Sequence, residues 1–108
     1  MDFNEYQNKA KQFAIYKEDY RLIYPSLGRA SEAGEVCGKV KKILRDFDGY
    51  VYPEDKEQLK SEIGDVLWYI AALCSDLNLE MGVVASDNIA KLQDRKLRNK
   101  IQGSGDNR

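Results

Sequence analysis

The stretch SEIGDVLWYI, residues 61–70, continuing through AALC to Cys74, decides the fold. Around it Leu59, Ile63, Val66, Ile70, Leu73 and Leu77 recur every three or four residues, the spacing of one helix face. The run VLWYIAALC is apolar almost all round, which predicts a central helix. Two acids, Glu62 and Asp65, nevertheless lie inside it. Three residues apart, they share a face and point toward one partner. A second stretch, SEAGEV at 31–36, repeats the arrangement with Glu32 and Glu35. Charges on a stripe that otherwise wants burial cost several kcal/mol each unless a metal, a partner charge or water compensates them.

Outward from this segment the chain reads as helix throughout. Phe3, Tyr6, Ala10, Phe13 and Tyr16 predict a first helix over about 2–20, and Tyr24-Pro25-Ser26 predicts its interruption, because the residue before proline is pushed out of the helical region. A second helix over about 26–47 carries Ala33, Val36, Cys37, Val40, Ile43, Leu44 and Phe47 as its core stripe. Asp48-Gly49 marks a turn. Pro53 suits the first position of the third helix, which runs to about Leu77. A fourth, over about 80–101, turns Val84, Ile89, Leu92 and Leu97 inward. No strand periodicity and no second domain appear. The expectation is an all-α, four-helix bundle-like domain over 1–102, with GSGDNR at 103–108 as a flexible tail.

Two facing carboxylate pairs make an oxygen-only cage, which suits Mg²⁺ or Mn²⁺. On the second helix Lys39 and Lys42 continue the face of Glu32 and Glu35. Lys39 is either an ordinary i,i+4 partner of Glu35 or a lysine beside a metal, facing phosphate. Trp68 and Tyr69 follow Asp65 by three and four positions, as core or as a platform for a base. On the fourth helix Asn88, Lys91 and Arg95 present one amide and two cations. That face is either solvated or neutralises phosphate, which arginine does bidentately and lysine as a point charge. Acids for metal, cations for phosphate and aromatics for a base converge on a nucleoside triphosphate. No G-x-x-x-x-G-K-[ST] loop is present, so phosphate would be held through metal and side chains.

Composition narrows the chemistry. At 108 residues the chain is one domain with a modest core, to which oligomerisation would add. The net charge of −1 calls for neither nucleic acid nor a membrane surface. Charge is locally uneven: residues 54–65 hold five acids against two lysines, and 91–108 hold six basic residues against two acids. With no histidine, imidazole catalysis and Glu-x-x-His metal pairs are excluded and zinc is disfavoured. Cys37 and Cys74 read as small core residues in a reducing compartment. The charged N-terminus shows no secretory signal, and no apolar run reaches membrane-spanning length, so a cytoplasmic protein is expected.

SEAGEVCGKVKK at 31–42, EIGDVLWYIAAL at 62–73 and NIAKLQDRK at 88–96, in that order, resemble the all-α nucleotide pyrophosphohydrolases, specifically the small MazG-like group. GSGDNR also looks like the tail of that group, and the likeness runs from about residue 27 onward. The resemblance implies that Glu32, Glu35, Glu62 and Asp65 are metal ligands; a carboxylate not fully committed to metal, Glu35 or Glu62, is expected to position or deprotonate the attacking water. It implies that Asn88, Lys91 and Arg95 lie on the phosphate side, and that Lys42 closes the first motif. Residues 1–24 match no motif, although Gln7 has the reach to contact a base. The expected activity is Mg²⁺-dependent cleavage of a (deoxy)nucleoside triphosphate to monophosphate and pyrophosphate by a dimer or tetramer. Alternatives are a narrow substrate such as dUTP or phosphoribosyl-ATP, or a non-catalytic helical regulator that binds metal or nucleotide. The tail is either a loose end or a flap over the nucleotide.

Overall fold

A computed structural model describes all residues, 1–108. It contains helices and no strands: α1 (Phe3–Lys11), a 3₁₀ turn (Glu18–Tyr20), α2 (Ile23–Phe47), α3 (Pro53–Asp76) and α4 (Met81–Leu97). α2 and α3 pack along each other as a long hairpin, and α1 lies against α3. The core is Ala10, Ala71, Cys74 and Met81, flanked by Tyr6, Leu67, Trp68 and Ile70.

Local chemistry explains the element ends. Asp2 and Glu5 form a reciprocal cap on α1: the Glu5 N–H donates to Asp2 Oδ1 at 2.8 Å and the Asp2 N–H to Glu5 Oε2 at 3.0 Å. α2 ends at Asp48 and Gly49, both in left-handed conformation (φ 53° and 83°). Pro53 opens α3, where its missing N–H costs nothing. Left-handed Asn78 (φ 56°) stops it.

α1 is shorter than its apolar spacing predicts, ending at Lys11 instead of near residue 20. Asp76, at the end of α3, captures the chain beyond it. Its Oδ2 accepts from the Tyr16 hydroxyl at 2.9 Å and from the Leu22 N–H at 3.0 Å. These contacts hold residues 12–22 as a hook, with Leu22 at φ 67°. Pro25 does not interrupt a helix but lies in the first turn of α2, where backbone N–H groups have no intrahelical partner in any case. It is fully buried there.

Between α3 and α4 the axis turns through 103°. Two amides from α1 fix that turn. Gln7 Oε1 accepts from the Met81 N–H at 2.7 Å and Asn4 Oδ1 from the Gly82 N–H at 2.9 Å. Gln7 Nε2 donates to Leu79 O at 2.8 Å. The exposed first amides of α4 are thus capped by another helix, and both ends of the Gln7 amide are engaged there. α4 consequently leaves the hairpin, packing on α1. Val84, Ile89, Leu92 and Leu97 do not face inward but are exposed. So are Val40, Leu44 and Phe47 on α2 and Ile63 on α3, and Cys37 is exposed where burial is expected from sequence. The radius of gyration is 16.7 Å, against about 13 Å for a compact chain of this length. No single helix is long and apolar enough to cross a membrane.

Candidate active site

The α2–α3 hairpin sets the two acid motifs opposite each other. Glu32, Glu62 and Asp65 each offer an oxygen within 4.8 Å of the others. Glu35, one turn along α2, is exposed and outside this trio. Burial and then the charges of Asp65, Glu62 and Glu35 push the Glu32 carboxyl above its ordinary range. A divalent cation held there would relieve that crowding. An all-oxygen donor set without histidine or thiolate fits such a hard ion.

Lys39 bridges the hairpin, its Nζ 3.5 Å from Glu62 Oε1. It therefore pairs across helices and not with Glu35. Lys42 is exposed one turn further along α2.

Beside the carboxylates lies an aromatic cavity of about 510 Å³, walled by Phe13, Tyr16, Lys17, Tyr24, Trp68 and Tyr69 among others. Tyr16 stacks on Tyr24 with ring centres 5.0 Å apart, and Trp68 meets Tyr69 edge-on at 5.0 Å. Trp68 is both packing and lining: its indole N–H donates to Ala10 O at 3.2 Å while its ring faces the cavity. Tyr69 joins the two halves of the site. Its phenol is pushed up by burial, by the Tyr24 hydroxyl and by the nearby charges of Glu32 and Asp65. The ring fits because residue 28 is glycine; a Cβ there would fall 2.1 Å from the Tyr69 ring. The volume and apolar lining suit a small planar ligand. Reading 2–20 as one helix conceals this pocket, since Phe13 and Tyr16 are then taken for a core stripe. The recurrence of Tyr16, Tyr20 and Tyr24 is the signal that was available.

The α4 cations form a separate group. Arg95 is buried, and its Nη2 donates to the main-chain oxygen of Asp106 at 2.7 Å. The Asp106 carboxylate lies 3.4 Å from both Arg95 Nη2 and Lys91 Nζ. Those cations hold its pKa below the ordinary value. Asn88 is exposed one turn before Lys91. Within one chain Asn88, Lys91 and Arg95 lie on the arm that departs from the hairpin, and the polar contacts of Lys91 and Arg95 go to residue 106, not to the carboxylate trio.

The 103–108 segment is folded back on the end of α4 through these contacts. The Arg108 guanidinium also donates to Lys100 O and Ile101 O.

Gene 37 protein of Mycobacterium phage L5 is 45% identical over 114 aligned positions, which span the whole of both chains. No solved structure matches. Residues 27–98 match the MazG nucleotide pyrophosphohydrolase domain. That span takes in both acid motifs and the cations of α4, and by it the chain belongs to the MazG nucleotide pyrophosphohydrolase family.

Proposed function

We propose that this protein hydrolyses (deoxy)nucleoside triphosphates to the monophosphate and pyrophosphate with Mg²⁺, or Mn²⁺, as cofactor. The observation that carries this reading is the carboxylate trio, its oxygens within 4.8 Å of one another, beside an aromatic cavity of about 510 Å³ to which Tyr69 joins it. Glu32, Glu62 and Asp65 hold the cation. When bound, such an ion would supply charge neutralisation for phosphate oxygens and a more acidic water. Glu35 lies outside the trio and accepts the proton of the attacking water. Of the two carboxylates considered for that role it is the better choice, because Glu62 already faces Lys39 and the trio. The base lies against Trp68 and the tyrosines, and Lys42 assists on the phosphate side.

Asn88, Lys91 and Arg95 reach the phosphates when copies of the chain assemble as a dimer or tetramer. The sparse core and the exposed apolar side chains of α4 and the hairpin support that assembly. Two free cysteines, one exposed, suit a cytoplasmic setting.

The test is pyrophosphate release from a panel of triphosphates, dUTP and phosphoribosyl-ATP included, with Mg²⁺ and with chelator. Release that disappears in chelator and in Asp65→Asn is the expected result. Metal or nucleotide binding without turnover would favour the regulator. Turnover of one substrate alone would favour the narrow enzyme.

A further inference from the structure

Arg108 makes contacts that the proposed reaction does not use. α4 ends at left-handed Asn99 (φ 58°), and the chain then reverses through Gly103 (φ 119°) and Gly105 (φ 84°). These are backbone conformations that glycine adopts without strain. Into the resulting loop the Arg108 side chain runs backward. Its Nε donates to Lys100 O at 3.3 Å, Nη2 to Ile101 O at 3.1 Å and Nη1 to Gly105 O at 2.5 Å. Its own carbonyl accepts from Arg98 Nη2 at 2.7 Å. Three carbonyls converge on one guanidinium, whose rigid fork matches such an array as a lysine cannot. The loop so closed delivers the Asp106 carbonyl to the buried Arg95.

We infer that Arg108 is a positioning residue: it closes residues 99–108 into a buckle whose Asp106 main-chain oxygen holds the Arg95 guanidinium, beside Lys91, ready for phosphate. This rests on the assignment of Lys91 and Arg95 to the phosphate side. Arginine loses much rotamer freedom when it binds, and a guanidinium ordered beforehand loses less at that step. The carbonyl does the holding, at 2.7 Å. The Asp106 carboxylate, at 3.4 Å and well exposed, is the part that incoming phosphate displaces.

The two parts of Asp106 therefore give opposite signs. Arg108→Ala opens the buckle and should raise KM for the best triphosphate about tenfold, with kcat within about twofold and the melting temperature little changed. Arg108→Lys should recover part of that loss. Asp106→Asn keeps the carbonyl, removes a competing anion and should lower KM. Backbone order parameters from NMR relaxation read the buckle without turnover: Arg108→Ala should lower them at 101–108 and leave those along α4 unchanged. Unchanged KM in Arg108→Ala would overturn the inference. So would a KM shift of the same sign in Asp106→Asn, or a fall in melting temperature that accounts for the change. If the parent cleaves no triphosphate, the reading of the site fails. Order parameters then decide the buckle alone, and equal values at 101–108 in parent and Arg108→Ala would overturn it.

Discussion

Replacing Asp76 by alanine should detach the hook that walls the aromatic cavity. The carboxylate side chain is only 10% exposed, and its Oδ2 takes both the Tyr16 hydroxyl (2.9 Å) and the Leu22 N–H (3.0 Å). Hydrogen bonds to a charged group are worth about 1.5–3 kcal/mol each, so two give ~3–6 kcal/mol. Leu22 at φ 67° stores roughly 1–3 kcal/mol of backbone strain, which the variant is free to release. The difference spans about 0–5 kcal/mol with a midpoint of ~2.5 kcal/mol, and at roughly 4 °C per kcal/mol for a domain near this size, the melting temperature should fall by ~10 °C. Asp76→Asn keeps one acceptor oxygen and should fall between. Trp68, the only tryptophan, lines the same cavity, so its emission should shift to the red before global unfolding. A titration adds an independent check. Burial and then Asp76 raise the Tyr16 pKa from 10.0 to about 12. Because the folded value is raised, the stabilisation is complete below pH 10 and is lost as pH climbs through about 12. In Asp76→Ala the phenolate absorbance of Tyr16 should appear at lower pH than in the parent. A variant that melts within about 2 °C of the parent, with unmoved emission and an unmoved tyrosine titration, would refute the reasoning.

Mg²⁺ should raise the melting temperature of the parent, since a ligand that binds only the folded state stabilises it. Glu62→Gln should abolish that rise, and a retained rise would argue against the trio as the metal site. Gly28→Ala should be unfavourable despite alanine's better helix propensity. Overpacking costs about 1–3 kcal/mol against ~1 kcal/mol gained, so Tyr69 must swing away, and urea denaturation with nucleotide-binding assays should show both losses. The lowered Asp106 pKa implies that its side-chain contact with Lys91 and Arg95 is complete above the ordinary value of 3.8 and is lost as pH falls through the depressed folded value. An NMR titration should place its midpoint below that of an unpaired aspartate; a midpoint at or above 3.8 would mean the contact is absent.

What was legible in the sequence was local. The α2–α3 hairpin follows from three-and-four spacing, and the facing of Glu32 toward Glu62 and Asp65 follows from acids three apart on two helices that pack together. Residues joined across the chain were not legible. α1 stops short because Tyr16 bonds to Asp76, 60 positions away, and no property of residues 12–20 alone announces that. Lys39 has Glu35 within reach on its own helix but pairs with Glu62, a choice made by helix packing. The apolar period of α4 correctly predicts a helix, but periodicity says only that a face wants cover. It does not say which chain supplies the cover, and here the face is exposed.

The cap that Gln7 and Asn4 place on α4 acts as the pivot of a lever. Seventeen residues of helix form an arm of about 25 Å at 1.5 Å per residue. A ten-degree tilt at the pivot would carry the far end, with Arg95 near it, through ~4 Å. That exceeds the length of a hydrogen bond, so the aim of the α4 cations depends on two neutral amides at the opposite end of the arm. Converting either amide to its acid preserves size and shape and keeps an acceptor, yet it removes the two donors of each amide, one of which Gln7 uses on Leu79 O. Slow chemical ageing at Gln7 would then act as a steering error, felt by substrate far from the altered atom.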